Sequence, residues 1–220
     1  YRRLRTNLSL SSEGVSCRTL VFSSGYPGDG KTSVISNVAV CFAIHGEKVL
    51  LIDGNLRRPM LGNIFQAKDS EDKCGLSDLL QGKCSEEQAI VHTEIEGLDM
   101  IRAGEMPGHP AELLGGKQMS KFMKETCRSY DYVLIDSPPA LLVSDAKMLA
   151  SLAEVTILVF NAETTHRGQA MRTIRELREV HSNIAGCVLF KAQSMKGGYF
   201  REQFRSYEKY QQEQPVGSPA

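Results

Sequence analysis

Short apolar runs recur along this chain, bounded by turn-forming residues and separated by stretches with helical spacing. The runs are Thr19-Leu20-Val21-Phe22-Ser23, Lys48-Val49-Leu50-Leu51-Ile52, Leu98-Asp99-Met100-Ile101, Tyr132-Val133-Leu134-Ile135, residues 155–160 and residues 187–190. They are rich in Val, Ile and Leu and do not alternate with polar residues, as strands covered on both faces read. The spacing predicts helices over 33–45, 110–128, 145–152 and 167–182. Strand and helix alternate, which predicts an α/β fold with an open, doubly wound, mostly parallel sheet. Ligands of such sheets bind beyond the carboxyl ends of the strands. Residues 66–97 are polar and mixed, and read as loops and short helices on one edge of the sheet. Residues 197–220 are hydrophilic and end Gln-Pro-Val-Gly-Ser-Pro-Ala, which predicts a mobile tail after a domain over 1–196.

Composition narrows the picture only a little. At 220 residues the chain suffices for one domain with a real core. Net charge is zero, so no bulk electrostatic case for nucleic-acid binding exists. No apolar run approaches the ~18 residues of a membrane span, and no signal peptide is visible. The chain begins at Tyr1 rather than Met, which reads as an excised piece, and a flanking membrane segment could have been cut away. Six cysteines are scattered without C-x-x-C or zinc-ligand spacing. Four of them sit within or beside apolar segments and read as small buried residues in a reducing cytosol.

The chemistry is concentrated in Gly25-Tyr26-Pro27-Gly28-Asp29-Gly30-Lys31-Thr32, which matches G-x-x-x-x-G-K-[ST] at every fixed position. Glycines let successive backbone N–H groups turn inward on a phosphate. The Lys ammonium then reaches the β- and γ-phosphates, and the Thr hydroxyl ligates Mg²⁺. The loop follows a predicted strand and opens a predicted helix, so a phosphate would also sit at a helix N-terminus. A Gly-rich turn without a ligand is the alternative. Two acids stand at strand ends where a P-loop needs them. Asp136 follows Val133-Leu134-Ile135 and precedes Ser137-Pro138-Pro139, and Asp53 follows Val49-Leu50-Leu51-Ile52. Each could instead only cap the turn after its strand.

These motifs, in this order, resemble the bacterial tyrosine kinases (BY-kinases). The family's Walker A is matched by Pro27-Gly28-Asp29-Gly30-Lys31-Thr32, its second Walker motif by Asp53-Gly54-Asn55-Leu56-Arg57, and its Walker B by Asp136-Ser137-Pro138-Pro139. Smaller pieces are Gly75-Leu76-Ser77, residues 107–114 and Ser144-Asp145-Ala146. The resemblance implies a P-loop NTPase-like fold of the deviant Walker A branch and transfer of the ATP γ-phosphate to tyrosine. It implies catalytic roles for Lys31, Asp53 and Asp136. Pro27, Gly28, Asp29, Gly30, Lys31, Thr32, Ser33, Asn55 and Arg57 would hold the nucleotide. Thr32, Asp53 and Asp136 would hold Mg²⁺. Tyr199, Tyr207 and Tyr210 would be phospho-acceptors, with incidental surface tyrosines as the alternative. Arg2 and Arg5 match the end of an oligomerisation motif, which implies a ring of copies phosphorylating one another. The family works beside a membrane polysaccharide co-polymerase, fused or separate. That places the domain in the cytoplasm at the inner face of the membrane, regulating capsular or exopolysaccharide synthesis.

The chain departs from the family at two positions. Asn55 stands where the second acid of the motif is expected, and Phe190 where the family has an Asn that reads adenine. Asn brings no charge and cannot act as a base, so weakened but retained activity is expected. Two other functions compete. One is a partition-type ATPase switch, whose signature Lys lies six residues before the invariant one, where this chain has Gly25. The other is a non-catalytic nucleotide-binding partner of a polysaccharide co-polymerase. Arg172, Arg175 and Arg178 recur on one helix face, which reads as solvated surface.

Overall fold

A computed structural model describes residues 1–10, 18–65 and 74–192. In chain order the elements are α1 (Arg2–Leu10), β1 (Arg18–Ser24), α2 (Lys31–Ala43), β2 (Val49–Asp53), α3 (Leu61–Ile64), α4 (Leu76–Leu80), α5 (Glu86–Ala89), β3 (Ile90–His92), β4 (Leu98–Ile101), α6 (Pro110–Leu114), α7 (Lys117–Thr126), β5 (Tyr132–Asp136), α8 (Asp145–Leu152), β6 (Val155–Asn161), α9 (Arg167–Arg178) and β7 (Ile184–Phe190). The seven strands form one sheet in the order β3-β4-β2-β5-β1-β6-β7. All neighbours are parallel except β3 with β4.

Alternate residues of a strand face opposite sides of its sheet, so a strand buried on both sides must be apolar throughout. β2 and β5 are buried at every position. One set of residues, including Leu20, Phe22, Leu51, Leu134 and Val159, packs with α2 through Val34, Ile35, Val38, Ala39 and Phe42. The intervening set, including Val21, Leu50, Ile52, Val133 and Ile135, packs with α4, α7 and α8 on the other face. Phe42 stacks on Tyr132 at a ring separation of 3.9 Å, a pairing worth about 1 kcal/mol beyond its buried area.

Several elements differ from the sequence expectation. Residues 110–128 form two helices, because Gly115 and Gly116 interrupt them; a Cβ on Gly115 would lie 2.9 Å from the Met148 sulfur of α8. The 66–97 stretch contributes the antiparallel edge strand β3 as well as short helices. α1 forms on Leu4 and Leu8, one turn apart, which pack on the α2 side of the core. β7 begins at Ile184 and is largely exposed at the other edge, so only its last residues read as apolar. The cysteines need a correction. Cys74 and Cys84 are joined by a disulfide, and Cys187 is exposed rather than buried. The spacing could not show the bridge, because the two residues meet only once α4 folds between them. Among the described residues no helix is long and apolar enough to cross a membrane.

Candidate active site

β1 delivers the chain into the loop at Gly25, and α2 leaves it at Lys31. Two glycines make the turns: Gly28 at φ 86° and Gly30 at φ 89°, a left-handed backbone that side chains resist. The Asp29 carboxylate is buried beneath the loop. Its Oδ2 accepts the Tyr26 N–H at 3.0 Å, and its Oδ1 accepts the Thr165 hydroxyl at 2.8 Å. Asp29 therefore spends its side chain on shaping the loop rather than on facing a ligand. The Phe190 ring lies against Gly30 so closely that a Cβ there would sit 2.4 Å from it. Pro27, Gly28 and Ser33 are exposed at the rim, while Lys31 is buried and Thr32 half-buried. The α2 axis brings its positive end and free N–H groups to this loop.

Register brings the two acids together. Asp53 and Asp136 are paired across neighbouring strands β2 and β5, and Phe22 of β1 pairs with Asp136 on its other side. Both acids fall two residues after side chains that face α2, Leu51 and Leu134, so both carboxylates turn towards the face that α2 covers. Thr32 Oγ1 donates to Asp136 Oδ2 at 2.6 Å. Asp136 Oδ1 is buried with no hydrogen-bond partner. Burial pushes the Asp136 carboxyl up to about 7, against the pull of the Lys31 ammonium and the Thr32 hydrogen bond, with the Asp53 charge adding to the rise.

Asp53 is 1% exposed and organises the chain that follows it. Its Oδ2 accepts the N–H groups of Met60 at 2.9 Å and Leu61 at 3.0 Å, and its Oδ1 that of Asn55 at 3.2 Å. Burial raises its pKa, and those three N–H bonds and Lys31 oppose the rise. Asn55 is turned onto one residue: its Nδ2 donates to the Arg58 carbonyl at 2.8 Å, and its Oδ1 accepts the Arg58 N–H at 3.3 Å. Arg57 forks onto Asp145 of α8, Nε to Oδ2 at 2.7 Å and Nη2 to Oδ1 at 3.1 Å. That guanidinium, expected at the nucleotide, is paired here with a fully buried carboxylate. Arg2 and Arg5 lie on α1, at the surface and half-buried respectively. Tyr199, Tyr207 and Tyr210 lie outside the described residues.

An open cleft of about 330 Å³ adjoins Asp53. It is lined by residues of two segments: Asp53, Pro59, Gly62 and Asn63, and Arg102 to Glu105. Sequence reasoning did not find the second segment, which carries no motif, nor Thr165, whose link to Asp29 spans 136 positions. Among the described residues no group of three or more His, Cys, Asp or Glu could hold a metal by itself. A divalent cation here would depend on a hydroxyl, one carboxylate and the oxygens of a phosphate ligand.

Known proteins share this sequence and fold. Residues 17–185 match the family described as AAA domain. The tyrosine-protein kinase YwqD of Bacillus subtilis is 36% identical over 189 residues, 86% of this chain and 78% of that protein. Several other curated relatives are longer, and the chain spans about a quarter of their length. The kinase domain of the Escherichia coli tyrosine kinase ETK superposes with a TM-score of 0.81 at 31% identity, covering 90% of this chain and 78% of that one. The septum site-determining protein MinD of Pyrococcus horikoshii, solved with Mg-ADP, superposes at 0.67 with 28% identity, covering 79% and 70%.

Proposed function

The chain belongs to the bacterial tyrosine kinases, and on that premise we propose that it transfers the γ-phosphate of ATP to tyrosine hydroxyls, first of all its own Tyr199, Tyr207 and Tyr210. The observation that carries this is the buried Thr32–Asp136 hydrogen bond under the loop, with Asp136 Oδ1 left unpartnered and Asp53 beside it. An orphaned buried carboxylate oxygen next to a hydroxyl is the donor set a Mg²⁺–nucleotide needs. In this role Thr32 and Asp136 would hold the cation, which would neutralise charge on the phosphate oxygens. The archaeal relative's Mg-ADP supports the same pairing of cation and nucleotide.

Lys31 and the N–H groups from Gly28 to Ser33 hold the phosphates at the positive end of α2. The tyrosine oxygen then attacks the γ-phosphorus as the bond to the β-phosphate oxygen breaks, and ADP departs. The phenol proton passes to Asp53. A carboxylate offers about four lone-pair sites, and the three N–H bonds to Asp53 leave one on Oδ1 for that proton. Burial makes this carboxylate more basic than a free one, which suits it to take a proton from a phenol whose own pKa is about 10. Because Asn55 adds no second charge, transfer is slower than with a full acid set. In this reading residues 1–196 are the catalytic domain and 197–220 the substrate tail. Arg2 and Arg5 contribute to contacts between copies in a ring. The domain works at the inner face of the cell membrane with a polysaccharide co-polymerase, fused or separate, in capsular or exopolysaccharide synthesis.

Radiolabelled ATP tests the reading. Wild-type chain should label itself on tyrosine, and replacing Tyr199, Tyr207 and Tyr210 together with Phe should remove most of the label. No label at any Mg²⁺ or Mn²⁺ concentration would reject the kinase. The engagement of both faces of the Asn55 amide with Arg58 favours one other reading, a nucleotide-binding partner without catalysis, which would bind ATP yet show neither phosphotyrosine nor phosphate release. The partition-type switch is disfavoured by packing. At Gly25, where its signature Lys would stand, a Cβ would lie 2.7 Å from the Thr173 hydroxyl of α9.

A further inference from the structure

Cys74 and Cys84 enclose α4, and what they enclose is fastened to the wall of the cleft beside Asp53. α4 has only five residues, too few to hold a helix by itself. Leu76 and Leu80 anchor it in the core, and its leading end is laced to the segment that leaves β4. Leu76 N–H donates to the Arg102 carbonyl at 2.7 Å and Ser77 N–H to the Ala103 carbonyl at 3.0 Å. Ser77 Oγ donates to the Glu105 carbonyl at 2.6 Å. Asp78 Oδ2 accepts the N–H groups of both Gly75 and Glu105, at 3.1 and 3.3 Å.

No slack separates the two segments. A Cβ on Gly75 would lie 2.2 Å from the Gly104 nitrogen, and Gly104 itself holds a φ of 79°. Backbone therefore touches backbone, and a displacement of Cys74 and Gly75 is passed to Gly104 and Glu105. Those two residues line the cleft together with Asp53, Pro59, Gly62 and Asn63. Both cysteines are half-buried, within reach of solvent.

We propose that Cys74 and Cys84 form a reversible redox site whose bridge fixes the Gly104–Glu105 wall of the acceptor cleft, and whose reduction loosens that wall. The partner chemistry is a low-molecular-weight disulfide of the glutathione class. The two thiols lose two electrons and two protons as the sulfur–sulfur bond forms, and the disulfide reagent takes them and leaves as two thiols. Disulfides inside cells are usually transient and redox-sensing, and one placed beside a reaction cleft suits that use. That the cleft receives the acceptor tyrosine follows from Asp53 in its lining and rests on the kinase reading given above, in which Asp53 takes the phenol proton.

The test separates the two claims. Whole chain equilibrated with glutathione disulfide, or with its thiol, is followed by thiol labelling and by amide hydrogen exchange. The bridge should form and open with the buffer. In the reduced chain the Leu76, Ser77 and Glu105 amides should exchange about tenfold faster, while those of β5 stay unchanged. The Michaelis constant for a tyrosine peptide should rise on reduction and that for ATP should not. Cys74→Ser and Cys84→Ser, made together, should behave as the reduced chain and ignore the buffer. A bridge that never forms, equal exchange in both states, or equal shifts for peptide and ATP would overturn the proposal. If neither state transfers phosphate, the kinase reading fails, and the exchange rates still decide the redox site.

Discussion

At the scale of single residues, the site is a set of buried carboxylates whose neighbours assign them different work. Asp29 shapes the loop, Asp53 gathers three N–H groups, Asp145 holds Arg57, and Asp136 keeps one oxygen unspent. The burial of Asp136 makes stability depend on pH. Asp136 titrates near 3.8 when unfolded and is raised to about 7 in the fold by burial. Between those values the folded chain holds a proton that the unfolded chain has lost. The stabilisation is whole below about pH 4 and is lost as pH rises through about 7. Thermal unfolding of nucleotide-free protein should show the midpoint falling across that window, and Asp136→Asn should flatten the slope. An unchanged slope in the variant would remove Asp136 as its source. Asn55 invites the opposite of a repair. Asn55→Asp loses the bond from Nδ2 to the Arg58 carbonyl and adds a charge near Asp53, so urea unfolding should show a loss of about 1–3 kcal/mol. Equal or greater stability would show that the amide is not what closes this turn.

At the scale of elements, contacts between neighbours decide which motif residues reach the site. α8 engages Arg57 through Asp145, which stands at its first position and is fully buried. Removing the guanidinium in Arg57→Ala strands that carboxylate and should cost about 2 kcal/mol, measured by denaturant unfolding. α9 closes the other side through Thr173 on Gly25. Gly25→Lys should lower the melting temperature and weaken nucleotide binding without conferring switch behaviour, and an unperturbed melting curve would show that α9 gives way. The arginines of α9 are exposed, and Arg172 pairs with Glu176 at 3.5 Å. At the sheet edges the apolar pattern missed β3, which has three residues, and caught only the last four residues of β7, which is largely exposed.

At the scale of the whole molecule, the sheet is a device for aligning strand ends. β5 lies between β1 and β2, so the phosphate loop and both acids share one edge although Thr32 and Asp136 are 104 positions apart. If that edge is self-sufficient, a chain shortened to residues 1–196 should bind nucleotide with the full chain's affinity, melt at the same temperature and phosphorylate itself far less. Loss of nucleotide binding would place the domain boundary elsewhere. The amino-acid sequence by itself determined the loop, its two acids, the six parallel strands and their order of appearance. These rest on local requirements: glycine where φ is positive, unbroken Val, Ile and Leu where both faces are covered, a carboxylate where a strand ends. Only the tertiary structure decided that Arg57 serves Asp145, that Asp29 rests on Thr165, that Phe190 roofs Gly30, and that Cys74 meets Cys84 beside the cleft wall. Each of those depends on which distant side chain arrives across the sheet edge or the helix layer. Such pairings follow from packing in three dimensions, and no spacing along the chain encodes them.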